Sequence, residues 1–112
     1  MEILKTNIQN LAEDKRALYK LSKARGVNVK DMEKDSEHPV DAFLYYEDVN
    51  SKGDPQKVLT ILSGAVKMQT ISNTFINAFL EIADLMDGDS YSIKIVKDVT
   101  KAGREFVSCE LV

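Results

Sequence analysis

A mainly β chain with helices (α+β) is what this sequence predicts, and three observations predict it. Runs rich in β-branched and aromatic residues recur between Val40 and Leu111, each closed by a cluster of turn residues. In their midst, residues 73–86 space their apolar side chains as a helix does. Ahead of them lies a charged segment, residues 1–37, with eight basic and seven acidic side chains and a helical pattern of its own. At 112 residues, 44% hydrophobic and 29% charged, the chain suits a single domain with a modest core. The expected organisation is an N-terminal helical segment, residues 1–38, packed on a strand domain, residues 39–112.

In the N-terminal segment the spacing predicts a helix from about Leu11 to Arg25. Asn10 can cap it, Glu13 follows three positions later as in a capping box, and Gly26 stands where a helix stops. Ala17, Leu18, Leu21 and Ala24 share one face, so this helix has something to pack on. Residues 28–38 are mostly charged and read as a short helix or a solvated connector.

The strands follow in order. Val40–Val49 holds Phe43, Tyr45 and Tyr46; the turn-forming run Asn50–Pro55 ends it, and Lys57–Leu62 is the second strand. Ser63-Gly64-Ala65 turns tightly into a third strand, Val66–Ile71. Ser72 or Asn73 caps the helix carrying Phe75, Ile76, Phe79, Leu80, Ile82, Ala83 and Met86, and Asp87-Gly88-Asp89 stops it. Tyr91–Val96 alternates apolar and polar residues as a half-buried strand does, Thr100–Gly103 turns, and Glu105–Leu111 alternates again. Five strands with a helix between the third and fourth is the order of an OB-fold, a small Greek-key barrel. An open α+β sandwich has the same order; closure is preferred because short strands joined by tight turns have edges to hide.

The chemistry is sparse. No glycine-rich phosphate loop, metal-ligand spacing or paired nucleophile and base is present, so the expectation is a non-catalytic protein without cofactor or metal. His38, the only histidine, has no partner in the pattern and reads as a solvated loop residue. Cys109, the only cysteine, alternates with Val107 and Leu111 and reads as a small buried hydrophobe. A lone cysteine suits a reducing compartment, and no apolar run approaches the length that spans a bilayer. Glu81, Asp84, Asp87 and Asp89 make a solvated acidic face.

A single-stranded nucleic-acid surface needs aromatic faces for stacking and cations along the phosphates. If Ile93, Ile95, Val107 and Cys109 point inward, then Lys94, Arg104, Phe106 and Ser108 point outward by the period-two rule. Phe43 and Tyr45 share one face of the first strand and Tyr46 the other, so one aromatic reaches the outer surface unless the N-terminal helix covers it. Lys52 sits in the loop after the first strand, Lys57 opens the second, and Lys97, Lys101 and Arg104 surround the last loop. In OB-folds these two loops flank the ligand. The net charge of −3 does not oppose this, because residues 72–89 alone hold four acids and no base.

Three runs carry a resemblance. They are Tyr46–Gly53 followed by Val58–Ile61, then Thr70–Ile76 leading to Phe79, then Ile93–Val96 with Thr100–Cys109; Leu18–Ser22 adds a shorter match. In this order they resemble single-stranded-DNA-binding proteins of tailed phages infecting Gram-positive bacteria. The resemblance implies an OB-fold protein that coats single-stranded DNA, with little sequence preference, in phage replication or recombination. It implies DNA contacts at Lys52, Lys94, Lys101, Arg104 and Phe106, and at Tyr45 or Tyr46. The implied setting is the cytoplasm of the bacterial host, away from membranes, with replication or recombination proteins as further partners; the edge strands of an open barrel and the aromatic surplus leave room for a homo-oligomer (dimer or tetramer), whose state the residues do not fix. The competing expectation is a protein-interaction module that uses the acidic helix face.

Overall fold

A computed structural model describes all residues, 1–112. It is a mixed α+β structure built mostly of strands, in chain order β1 (Glu2–Thr6), α1 (Lys15–Ser22), β2 (Val27–Asn28), β3 (Glu37–Pro39), β4 (Ala42–Val49), β5 (Pro55–Ser63), β6 (Val66–Thr70), α2 (Asn73–Leu85), β7 (Ser92–Val99) and β8 (Glu105–Leu111). Two sheets form: a five-stranded one in the order β1-β4-β5-β6-β2, and a three-stranded one in the order β3-β7-β8.

The expected barrel does not close. The two sheets meet at one corner, where a bent strand passes from one to the other: Val40 N donates to Tyr91 O at 3.0 Å and Asp41 N donates to Leu62 O at 2.9 Å. Adjacent residues thus bond to different sheets, and β3 and β4 are two halves of one corner strand. The Asp41 carboxylate fixes this corner by accepting from Gly64 N at 2.6 Å, while Asn7 Oδ1 accepts from Phe43 N at 2.9 Å. On the opposite side, β6 pairs with β2 in parallel, and β8 is left as an edge of the smaller sheet. The chain's own N-terminal segment therefore takes the β6 hydrogen bonds that closure against β8 would need.

That segment is less helical than its pattern suggests. Residues 2–6 form an edge strand against β4, and Leu11–Glu13 is a 3-10 turn. Asn10 adopts a left-handed conformation (φ 55°) with no capping bond; Asp14 caps α1 instead, accepting from Ala17 N at 3.1 Å. Gly26 has a different task from stopping a helix. Its backbone lies so close to β6 that a Cβ there would stand 2.9 Å from Lys67 O. Residues 28–38 are no simple connector either: Val29 is buried in a 3-10 turn, Met32 packs on the core, and His38 lies in β3 with its Nε2 2.8 Å from Ser36 Oγ.

Two hydrophobic clusters result, one on each side of the larger sheet. The main core gathers Phe43, Leu59, Ile61 and Met68 from the larger sheet, Phe75, Ile76, Phe79 and Ala83 from α2, and Ile93, Ile95 and Cys109 from the smaller sheet. Phe43 and Phe79 meet edge to face with centroids 5.2 Å apart. Ser72 caps α2, accepting from Phe75 N at 3.4 Å, which sets the helix with its apolar stripe inward. On the other side, Leu11 and Leu21 bury Leu44 and Tyr46 under α1. The extended strands explain the split: odd-numbered β4 residues face the main core and even-numbered ones face α1.

Candidate functional site

α1 covers the outer face of β4 and β5 at Leu44, Tyr46, Val58 and Leu62; toward β6 that face, where an OB-fold receives its ligand, keeps a cavity of about 370 Å³ lined by Tyr46, Gln56, Val58, Gln69 and Thr70. Tyr46, expected to reach a ligand, is only 4% exposed there, and its hydroxyl donates to Ser22 O at 3.1 Å. Desolvation pushes its pKa up. Lys67 is partly desolvated, which pulls its pKa down, and its ammonium donates to the carbonyls of Lys20 and Ala24 at the end of α1. Lys23 donates to Asp48 at 2.9 Å, and that contact raises the lysine and lowers the carboxylate. Each polar group at this contact is turned to holding the helix down. Tyr46 is therefore engaged in holding α1, and the small part of it left exposed faces that cavity.

Other candidates disperse. Tyr45 is partly buried against the main core beside its ladder partners Lys5 and Leu59. Lys94 lies in register between Glu37 and Glu110 and faces the Glu110 carboxylate at 3.7 Å in a solvent-exposed pair on the outer face of the smaller sheet. Lys57 is exposed opposite Glu47. Lys52 and Lys101 are exposed at the tips of the β4–β5 and β7–β8 turns.

Three candidates do come together. Lys97, Arg104 and Phe106 line one cavity of about 690 Å³ with Lys30, Lys34, Ser72 and Thr74; Asp98 and Glu105 are its only carboxylates. Its parts come from four places. Lys97 follows Ile93 and Ile95 on the inner face of β7, and its ammonium donates to Lys30 O at 2.7 Å, which ties the 3-10 turn at residues 29–31 to the smaller sheet. One of three ammonium hydrogens is used, leaving two for a ligand. Arg104 leaves the β7–β8 turn from a fixed backbone: Thr100 N donates to Arg104 O at 2.9 Å, and Arg104 N donates to Thr100 Oγ1 at 3.1 Å. Gly103 supplies the left-handed residue (φ 82°) this turn requires. Phe106, partly buried, stands opposite Asp98 on the outer face of the same ladder. Ser72 and Thr74 bring the N-terminus of α2, whose dipole adds partial positive charge.

No cation of this cavity is neutralised by an ion pair. The three ion pairs of the molecule are Lys5–Asp84, Lys23–Asp48 and Lys94–Glu110, all elsewhere. Four free cations around an aromatic edge can take phosphate oxygens, the guanidinium as a planar fork and the ammonium groups as point charges. A second cavity, about 750 Å³, has the opposite sign: Asp41, Asp84, Asp87 and Asp89 line it against a single cation, Lys5. Sequence reasoning missed Lys30 and Lys34. Their spacing of four within a charged stretch was visible, but it is the bonding of residues 35–39 to β7 that carries them to the last hairpin.

Fold and site together define an open two-sheet α+β protein with a cationic, aromatic-edged groove. Comparison with protein-family models, curated proteins and solved structures finds no match to this chain. No helix is long and apolar enough to cross a membrane.

Proposed function

We propose that this protein binds single-stranded DNA without catalysis, seating phosphates on Lys30, Lys34, Lys97 and Arg104 and a base against Phe106. The carrying observation is the groove itself: four cations free of ion pairs around a partly exposed aromatic, in a chain of net charge −3. Charge of one sign gathered locally against the sign of the whole is the footprint of a polyanion site. Ladder and stacking chemistry of this kind tolerates any sequence, because every base has a π-face.

Two further points support the reading. With β1 and β2 set aside and the bent β3–β4 counted as one strand, the remaining five strands with α2 after the third follow the element order of an OB-fold, in two sheets that do not close. The sequence resemblance to phage single-stranded-DNA-binding proteins adds a role in phage DNA replication or recombination, in the cytoplasm of a bacterial host and alongside other proteins of that process.

Fluorescence anisotropy with labelled oligo(dT) tests the proposal. Wild-type protein binds at low salt and weakens as salt rises. The double variant Lys97→Ala/Arg104→Ala lowers the slope of log K against log salt by about 1.4, at about 0.7 per single-strand phosphate contact. No binding at micromolar protein in low salt would overturn the reading in favour of a protein partner recognised through the acidic cavity.

A further inference from the structure

The groove does not exhaust the free positive charge. Successive helix positions differ by about 100°, so Lys15, Arg16, Tyr19 and Lys20 of α1 and Lys23 at its C-cap fall within an arc of about 140°, opposite the face that carries Ala17, Leu18 and Leu21. All five are exposed, Tyr19 at 63%. Lys23 is engaged with Asp48, but Lys15, Arg16 and Lys20, and Arg25 just beyond the helix, have no ion-pair partner. The same segment runs on through β2 along the edge of β6 and delivers Lys30 and Lys34 to the groove.

We infer that the exposed face of α1 is a second contact for the same DNA strand. A strand leaving the groove at Lys30 and Lys34 continues past Arg25 and lays its phosphates along Lys20, Arg16 and Lys15, with Tyr19 available to a base. The inference rests on the DNA-binding reading of the groove and deepens it. Charge complementarity identifies the occupant as a polyanion, and the exposed aromatic among the cations favours nucleic acid. A basic amphipathic helix can also lie on an anionic bilayer, but it does so by burying its apolar face in lipid. In α1 that face is spent, with Leu21 buried against Leu44 and Tyr46. The helix has thus covered one potential binding surface and replaced it with a cationic one.

The test compares short and long strands. In the variant Lys15→Glu/Arg16→Glu/Lys20→Glu, affinity for dT5 stays within about twofold of wild type while affinity for dT20 falls at least tenfold. Tyr19→Ala weakens dT20 about threefold and leaves dT5 unchanged. The three cations are exposed, so circular dichroism and thermal unfolding are expected to match wild type; a neutral Lys15→Gln/Arg16→Gln/Lys20→Gln variant gives the same ordering if charge reversal disturbs the helix. Unchanged dT20 affinity in both triple variants would overturn the second contact while leaving the groove standing, and so would an equal loss on dT5. Wild-type protein that binds neither strand would overturn both proposals. Sedimentation with phosphatidylserine vesicles, lost in the triple variant while dT20 binding is retained, would replace the strand with a membrane.

Discussion

The outer face of the larger sheet and the groove beside β7 and β8 begin from similar materials and end in opposite states. Each offers an aromatic side chain and lysines. On the sheet face, Tyr46 is buried with its hydroxyl satisfied, Lys67 is spent on helix carbonyls and Lys23 on Asp48. In the groove, Phe106 keeps an exposed edge and the cations have no carboxylate partner. Residue type does not separate the two. The difference is the N-terminal segment, which has enough apolar surface to cover one face and delivers charge to the other. A surface becomes a site when the chain leaves its polar groups unfinished.

The comparison breaks most visibly at Leu21. It is 1% exposed and anchors α1 on Leu44 and Tyr46, so Leu21→Ala is expected to cost about 2–5 kcal/mol in urea unfolding. A loss below 1 kcal/mol would mean that the helix is not a fixed cover. Phe106→Ala probes the other side. It removes one stacking platform, weakening oligo(dT) binding by about 1–3 kcal/mol with unfolding stability nearly unchanged. Unaltered affinity would remove Phe106 from the site.

Tyr46→Phe sharpens the contrast more finely. Losing the hydroxyl bond to Ser22 O is expected to lower stability by about 1 kcal/mol and leave DNA affinity alone, the reverse of Phe106→Ala. An affinity loss without a stability loss would return the ring to the binding surface. The smallest effect separates the two faces of β8 itself. Cys109, on its inner face, is pushed up to about 12 by burial, as is Tyr91 nearby. Both are raised on folding, so their contribution to stability is complete below their ordinary values of 9.0 and 10.0 and is lost as pH rises toward 12. The thermal midpoint should therefore fall across that interval, and Cys109 should resist a thiol reagent at pH 8 until denaturant is added. Rapid native labelling would place Cys109 on the outer face.

Much of the fold was legible before any coordinates. The strand domain shows period-two alternation bounded by turn chemistry, and α2 has an apolar stripe with a capping serine; both patterns report local geometry that the chain cannot easily avoid. β8 spans Glu105–Leu111 as read, and β4, β5, β6, β7 and α2 differ from their expected spans by one to three residues. The N-terminal segment was read poorly because its structure is not local. β1 exists by pairing with β4, β2 exists by pairing with β6, and Asn10 is drawn out of its capping role by a left-handed turn. Two residues in a strand have no periodicity to detect.

The site divides along the same line. Lys97, Arg104 and Phe106 lie within ten residues on one hairpin, so the turn between its strands keeps them near one another although Lys97 and Phe106 lie on opposite faces of the ladder. Lys30 and Lys34 stand more than sixty residues before Lys97 in the chain, and Lys94 looked as free as Lys97 until the ladder set Glu110 beside it.

By itself, the sequence determined the strand-and-helix order from β4 onward, the inward stripe of α2, the buried Cys109 and the candidate cations of the last hairpin, because each follows from spacing over a few residues. Only the tertiary structure decided that the two sheets stay open, that Tyr46 is covered and that the cations at residues 30, 34, 97 and 104 face one groove. Those outcomes depend on which strand edge and which sheet face the N-terminal segment chose. That choice is a competition between long-range contacts, and no short window of sequence contains both competitors.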